Sequence, residues 1–306
     1  MPLDKVSKIW MDGELVDWDD AQIHVLTHSL HYGSGAFEGI RAYETADGPA
    51  VFRLTDHIER LFESCKMLMI EIPFSVQQLV DAVKETVRVN NVESCYIRPL
   101  VYLGYGEMGL NPMGSPVNVS VAVWPWGTYL GEEGIKHGVR MKISSWRRQD
   151  PNINPPAAKG TGIYINSILA KVEAIKAGYD EAILLNPDGY VSECTGENIF
   201  VIKDGVLLTP PLSSGALDGI TRDSVMVIAR DMGYEVREEN ILRSDLYIAD
   251  EAFLTGTAAE VVPIREVDDR VVGEPGEITR KLQETFFATV RGEVEQYKSW
   301  LEYVRV

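Results

Sequence analysis

Apolar positions recur at helical spacing early in the chain. Leu61, Cys65 and Leu68 stand at i, i+4 and i+7 with Ile58 and Phe62 beside them, predicting a helix with Thr55 as its N-cap. Leu79, Val80, Val83 and Val87 predict a second helix. Two strand patterns follow, YIRPLVYL (96–103) and VNVSVAVWPW (117–126). The glycine-rich, polar stretch GTYLGEEGIKHG (127–138) predicts an interdomain linker, so the expected division is 1–127, a linker over 128–138, and 139–306. Beyond it, a helix is predicted from about Ile163 to Ala177, stopping at Gly178. Two hairpins are predicted around Asn186-Pro187-Asp188-Gly189 and Asp204-Gly205. Val225, Ile228, Ala229 and Met232 then mark a helix near 221–233 that Gly233 ends. Without an internal repeat, this pattern describes an α+β protein of two domains.

At 306 residues the chain can bury a large core in each domain. Its formal net charge of −17 argues against nucleic acid and anionic membrane as partners. An anionic small molecule would need local arginines or backbone amides to overcome that field. No apolar run reaches membrane-span length, and the charged N-terminal stretch has no apolar core segment of a signal peptide. Three scattered cysteines, Cys65, Cys95 and Cys194, suggest a reducing, cytoplasmic setting and have no zinc spacing.

Two motifs lead nowhere. Gly104-Tyr105-Gly106-Glu107-Met108-Gly109 matches a dinucleotide fingerprint, but Pro112 and Pro116 follow where its helix should begin. His24, His28 and His31 lack a completing metal ligand, so no metal is expected.

A third stretch, PAAKGTGIYIN (156–166), sets Lys159 among small, mostly apolar residues with no acid. Downstream come Tyr164, ECTGENIF from Glu193, SSGALDGITR leading into a helix at Ile220-Thr221, and TGTAAE around Thr257. Singly, each reads as an ordinary turn or cap. Together they match one chemical need. A Schiff-base lysine needs a cofactor aldehyde, and pyridoxal phosphate also needs an acid at its ring nitrogen, a donor at its ring oxygen and a helix N-terminus for its phosphate. Tyr96 and Arg98, two apart on a strand, face the same way and suit a carboxylate. Pro99 then fits only an edge strand or a bulge.

With HYGSGAFEGIRAY (31–43), RLTDHIERL (53–61), YIRPL (96–100) and PWGTYLG (125–131), these motifs span nearly the whole chain. In this order they resemble the fold-type IV pyridoxal-phosphate aminotransferases, most closely those acting on branched-chain amino acids. The resemblance implies a small N-terminal domain and a larger cofactor domain with barrel-like β structure. It implies that Lys159 is the Schiff-base lysine and proton shuttle, that Glu193 pairs with the ring nitrogen, and that Tyr164 donates to the ring oxygen. Leu217 would pack on the ring, while Arg60, Ile220, Thr221 and Thr257 would hold the phosphate. Helical phase alone places Arg60 off the apolar stripe, in solvent.

On the substrate side, the resemblance gives the α-carboxylate to Tyr96 and the turn amides of Thr257 and Ala258, and the distal carboxylate of glutamate to Arg98. Tyr32, Phe37, Trp126 and Tyr129 would wall an apolar pocket that Leu110 of a partner subunit closes. The implied reaction is ping-pong transamination of leucine, isoleucine and valine with 2-oxoglutarate, by a homodimer at least, with a hexamer also allowed. Three other enzymes share the fold: D-amino-acid aminotransferase, amine transaminase and aminodeoxychorismate lyase. YIRPL and PWGTYLG weigh against them. A non-enzymatic binding protein on this fold would be expected to lack Lys159 or Glu193.

Overall fold

The computed structural model describes residues 3–127 and 129–304, and it divides into two compact units. The first comprises the described residues up to Trp126, Ala158–Ile163 and those from Thr289 onward. The second comprises Gly127–Ala157 and Tyr164–Ala288.

The first unit is built on an eight-stranded sheet. Its central strand, Cys95–Leu103, pairs antiparallel with Val117–Trp124, so that second strand stops two residues short of the expected 126. Val119, Val121 and Val123 alternate onto the buried face, where the helices Leu54–Met67 and Val76–Val89 pack. Each such side chain withdrawn from water contributes about 1.5–3 kcal/mol. Both predicted helices are present, but the first is capped differently from expectation. Thr55 lies inside it, and Arg53 holds the N-cap position in a left-handed conformation without a side-chain cap. The carboxylate of Glu302 accepts instead from the Thr55 amide (2.7 Å) and hydroxyl (2.8 Å). Glu302 comes from the strand Leu301–Tyr303, which pairs with Ala50–Phe52 and thereby places the C-terminal segment in the first unit. The second helix starts at a Ser75–Gln78 capping box.

Pro99 is neither on an edge strand nor at a bulge. It pairs with Val121 on one side, and on the other it lies opposite Glu38, which falls between the strands Gly35–Phe37 and Ile40–Tyr43. Both short strands keep a single register against Cys95–Leu103. The ladder is interrupted opposite the missing N–H, and the Glu38 amide donates to the Pro99 carbonyl at 2.9 Å.

The second unit carries a nine-stranded mixed sheet that forms a half-barrel. Val139–Arg147 runs parallel to both of its neighbours, Glu181–Leu185 and Glu260–Val267. The segment expected as a linker begins where the chain passes from the first unit to the second, between Trp126 and Gly127, and it contains regular structure. Gly131–His137 is a helix that packs on Glu260–Val267, while Thr128 lies outside the described residues. The helix Tyr164–Lys176 ends as predicted: Gly178 has φ +86°, and the Tyr179 amide reaches the Ala174 carbonyl at 3.0 Å. Asp204 and Gly205 both have positive φ, as a two-residue hairpin turn requires. Ile220–Asp231 is the helix expected near 221–233, with Val225, Ile228 and Ala229 buried and Met232 more exposed.

Candidate active site

In the first unit, one sheet face gathers aromatic rings around a cation. Phe37, Tyr96 and Arg98 share that face through the period-two alternation of their strands. The Arg98 guanidinium lies 4.5 Å from the Phe37 ring centre, 5.4 Å from that of Tyr96 and 5.8 Å from that of Trp124. Trp126 stands edge-on to Tyr96 at 4.4 Å, and its carbonyl accepts from Arg41. The Arg98 Nε is buried without a hydrogen-bond partner among the described residues. A buried donor left unpaired costs about 1–3 kcal/mol. Gly39 makes the arrangement possible, because a Cβ there would collide with the Tyr96 hydroxyl.

Lys159 belongs to this unit. Its amide donates to Ser64 Oγ at 3.0 Å, and its carbonyl accepts from the Phe37 amide at 3.1 Å. The backbone is thus tied to a helix and a strand, while the Nζ lies 5.5 Å from the Phe37 ring centre. Tyr32 and Leu110 are instead exposed, Leu110 at 89%.

Arg60 is not solvated. His57, Arg60 and Ser64 form a polar row on the buried side of the helix Leu54–Met67. The helix buries more than its apolar stripe because Glu38 stands opposite. Glu38 is wholly buried on the core face, between Ala36 and Ile40 in the strand alternation. Its Oε1 accepts from Arg60 Nε (2.7 Å), and its Oε2 from Arg60 Nη2 (2.8 Å) and His57 Nδ1 (2.8 Å). Burial pushes the Glu38 carboxyl up, but the Arg60 charge and the His57 hydrogen bond outweigh it and hold it well below the usual range. Burial pulls His57 down despite its hydrogen bond to Glu38, and Nδ1 is the donor because a carboxylate oxygen accepts.

In the second unit, Glu193 ends the strand Val191–Cys194 and is buried. Arg148, just after the strand Val139–Arg147, forms an ion pair with its Oε1 and donates to Ser167 Oγ at 3.1 Å. The other oxygen accepts from the Leu217 amide (2.9 Å) and Asn198 Nδ2 (3.3 Å). An ion pair and two hydrogen bonds thus fix both oxygens of this carboxylate. Asn198 also donates to the Leu217 carbonyl at 2.9 Å, fixing the turn before the helix Ile220–Asp231. Gly219 caps that helix without a side chain, and a Cβ there would collide with Asn198 Oδ1. A helix start with no capping side chain suits a phosphate. Ile220 and Thr221 are buried in its first turn, whereas Thr257 and Ala258 follow the strand Glu251–Gly256. Tyr164 opens the helix Tyr164–Lys176, and Tyr129 packs on the second core with the Lys171 ammonium 5.4 Å from its ring.

The expected residues therefore fall into two groups: Lys159, Arg60, Phe37, Tyr96, Arg98 and Trp126 in one unit, and Glu193, Leu217, Ile220, Thr221 and their neighbours in the other. Sequence reasoning missed Glu38, His57, Arg148 and the role of Asn198. The signal for Glu38 was present, as an acid at the centre of the alternating run Ala36-Phe37-Glu38-Gly39-Ile40. The three histidines near residue 28 are structural: His28 bonds Ser34 and the Gly109 carbonyl, and His31 the Val25 carbonyl. No cluster of three metal-ligating side chains occurs among the described residues. The glycine-rich run Gly104–Gly109 holds no helix.

Residues 35–267 match the sequence model of a family described as amino-transferase class IV. A branched-chain-amino-acid aminotransferase of Pseudomonas aeruginosa is 50% identical over 304 residues, covering 99% of both chains. The crystal structure of an Escherichia coli branched-chain amino acid aminotransferase superposes with a TM-score of 0.96 at 46% identity, over 98% of this chain and 100% of that one. A third relative, the holo-form of the Thermobaculum terrenum branched-chain amino acid aminotransferase with its PLP, gives 0.93 at 34% identity, over 98% and 99% of the two chains.

Proposed function

We propose that this chain, which belongs to the amino-transferase class IV family, transfers the amino group of L-leucine, L-isoleucine or L-valine to 2-oxoglutarate, with pyridoxal 5′-phosphate as cofactor. The observation that carries this reading is the sheet face of Phe37, Tyr96, Trp124 and Trp126 around Arg98. An apolar wall accepts a branched aliphatic side chain, and one cation with an unsatisfied donor accepts the distal carboxylate of glutamate. A site for D-amino acids or simple amines needs no such pairing, and full-length relatives named for branched-chain substrates favour the same conclusion.

When bound, the cofactor supplies an electrophilic aldehyde and a sink for the electrons left at the substrate Cα. Lys159 would hold it through its amine, and that amine would carry the proton to and from the substrate Cα. Glu193, which pairs with Arg148 and accepts from Asn198 and the Leu217 amide, would hold the ring nitrogen protonated. Tyr164 would donate to the ring oxygen, and the Leu217 side chain would pack on the ring. Arg60, the start of the helix at Ile220-Thr221, and Thr257 take the phosphate. Tyr96, Thr257 and Ala258 take the α-carboxylate, while Tyr32 and Tyr129 complete the apolar wall. The two half-reactions alternate on one site, which makes the kinetics ping-pong.

The working unit is a homodimer at least, with a hexamer also allowed, in which Leu110 of one subunit closes the partner's pocket. The 89% exposure of Leu110 and the exposed row Ile165, Ile168, Val172 and Ile175 on one helix support this. No helix among the described residues is long and apolar enough to cross a membrane. The compartment we assign is the cytoplasm, where Cys65, Cys95 and Cys194 stay as buried free thiols. Lys159→Ala tests the reading: it should abolish turnover of L-leucine with 2-oxoglutarate while cofactor still binds non-covalently. A variant retaining more than about a hundredth of wild-type turnover contradicts it, since removing a proton shuttle typically costs roughly 10²–10⁴-fold.

A further inference from the structure

A carboxylate on the core face of a sheet is costly unless it is fully paired. Glu38 occupies such a position, wholly buried, with Ala36 and Ile40 beside it and Ile97 and Val101 on the adjoining strand. Side-on pairing through Nε and Nη2 fixes the plane of the guanidinium. Glu38 is itself held on a third point by His57 Nδ1, and its neighbour Gly39 donates to Oε2 at 3.2 Å. His57 and Arg60 sit one turn apart on the same helix, and Ser64, one turn further on, receives the Lys159 amide. The next residue back from Glu38, Phe37, holds the Lys159 carbonyl. One strand and one helix thus clamp Arg60 and the backbone of Lys159 in a single rigid frame.

We propose that Glu38 and His57 are positioning residues for the cofactor's phosphate end, acting through Arg60. This rests on the assignment of Arg60 to the phosphate. Glu38 fixes the plane of the guanidinium, so that Arg60 meets the phosphate without a search over rotamers. His57 in turn keeps Glu38 from rotating toward another donor. The missing N–H of Pro99 interrupts the ladder at this point of the neighbouring strand. Glu38 therefore enters the core at a break in the sheet, at the site where Arg60 can reach it.

The test compares equilibrium binding of pyridoxal phosphate and of pyridoxal, which lacks the phosphate, to the full chain stripped of cofactor. Each variant is its own control, because partial unfolding lowers both affinities alike. Arg60→Ala should weaken pyridoxal phosphate by about tenfold or more and pyridoxal by less than about threefold, since charge-assisted hydrogen bonds of this kind are worth about 1.5–3 kcal/mol. Glu38→Gln should show the same selectivity at smaller size, and His57→Phe a weaker form of it that His57→Asn restores. Combined with Arg60→Ala, Glu38→Gln should add nothing further. The double variant also removes both buried charges, so it keeps the comparison usable if either single variant folds poorly. Equal loss of both ligands in Glu38→Gln, or no loss of either, would leave Glu38 as a core-packing residue and overturn the proposal. If Arg60→Ala itself fails to distinguish the two ligands, the phosphate assignment of Arg60 falls first and the proposal with it.

Discussion

At the residue scale, the substrate problem reduces to Arg98. It lies against three aromatic rings and has a buried Nε without an acceptor among the described residues. Aromatic faces hold a guanidinium weakly enough to release it to a carboxylate, and strongly enough to keep it in place when leucine is bound. Arg98→Ala should therefore lower kcat/KM for L-glutamate by about 30-fold or more, the scale expected for truncating one side of a desolvated charge pair. For L-leucine the loss should stay below about tenfold, the share of lost packing alone. Equal losses in the two half-reactions would remove Arg98 from the distal-carboxylate role. The cysteines mark the opposite case. Burial pushes Cys65 and Cys95 up to about 12, and Cys194 well above its usual value, so all three are structural thiols.

At the element scale, periodicity and turn chemistry identified most of the architecture. Helices with an apolar stripe and a terminal glycine were legible, because stripe and C-cap are both local: Tyr164–Lys176 with Gly178, and Ile220–Asp231 with Gly233. What failed depended on distant residues. The cap of the first long helix comes from Glu302, 247 positions away, so Thr55 could not be excluded locally. Gly131–His137 is glycine-rich and reads as a linker, yet it forms a helix because Glu260–Val267 offers it a surface. Pro99 could be placed only by knowing that its neighbour is interrupted opposite it. The site was legible at the level of motifs and not of networks. Lys159, Glu193 and the helix at Ile220 stand in recognisable runs. The partners that set their geometry, Ser64, Arg148 and Asn198, look like ordinary polar residues until the strands align. Arg60 shows the limit most clearly. Phase placed it in solvent, and only a buried acid on another element reverses that.

At the scale of the whole molecule, a net charge of −17 repels anionic substrates at long range. Capture of 2-oxo acids thus depends on arginines such as Arg98 and on backbone amides, and it should weaken little as salt screens the global field. The proposed dimer would cover exposed apolar residues at Leu110 and along one helix face. Sedimentation equilibrium at micromolar concentration should give at least twice the 34.1 kDa of one chain. A stable, active monomer would remove Leu110 from the pocket. Lys159 with its cofactor should accept the amino group of a branched-chain substrate. The near-ultraviolet and visible spectrum of the purified protein, before and after adding L-leucine with no oxo acid present, tests this. A bound-cofactor band should convert to that of pyridoxamine phosphate, with release of one 2-oxo acid per site. A band that ignores L-leucine and responds to D-alanine or an amine would contradict the substrate assignment. No band even after adding pyridoxal phosphate would contradict the whole account and make Lys159 an ordinary loop lysine.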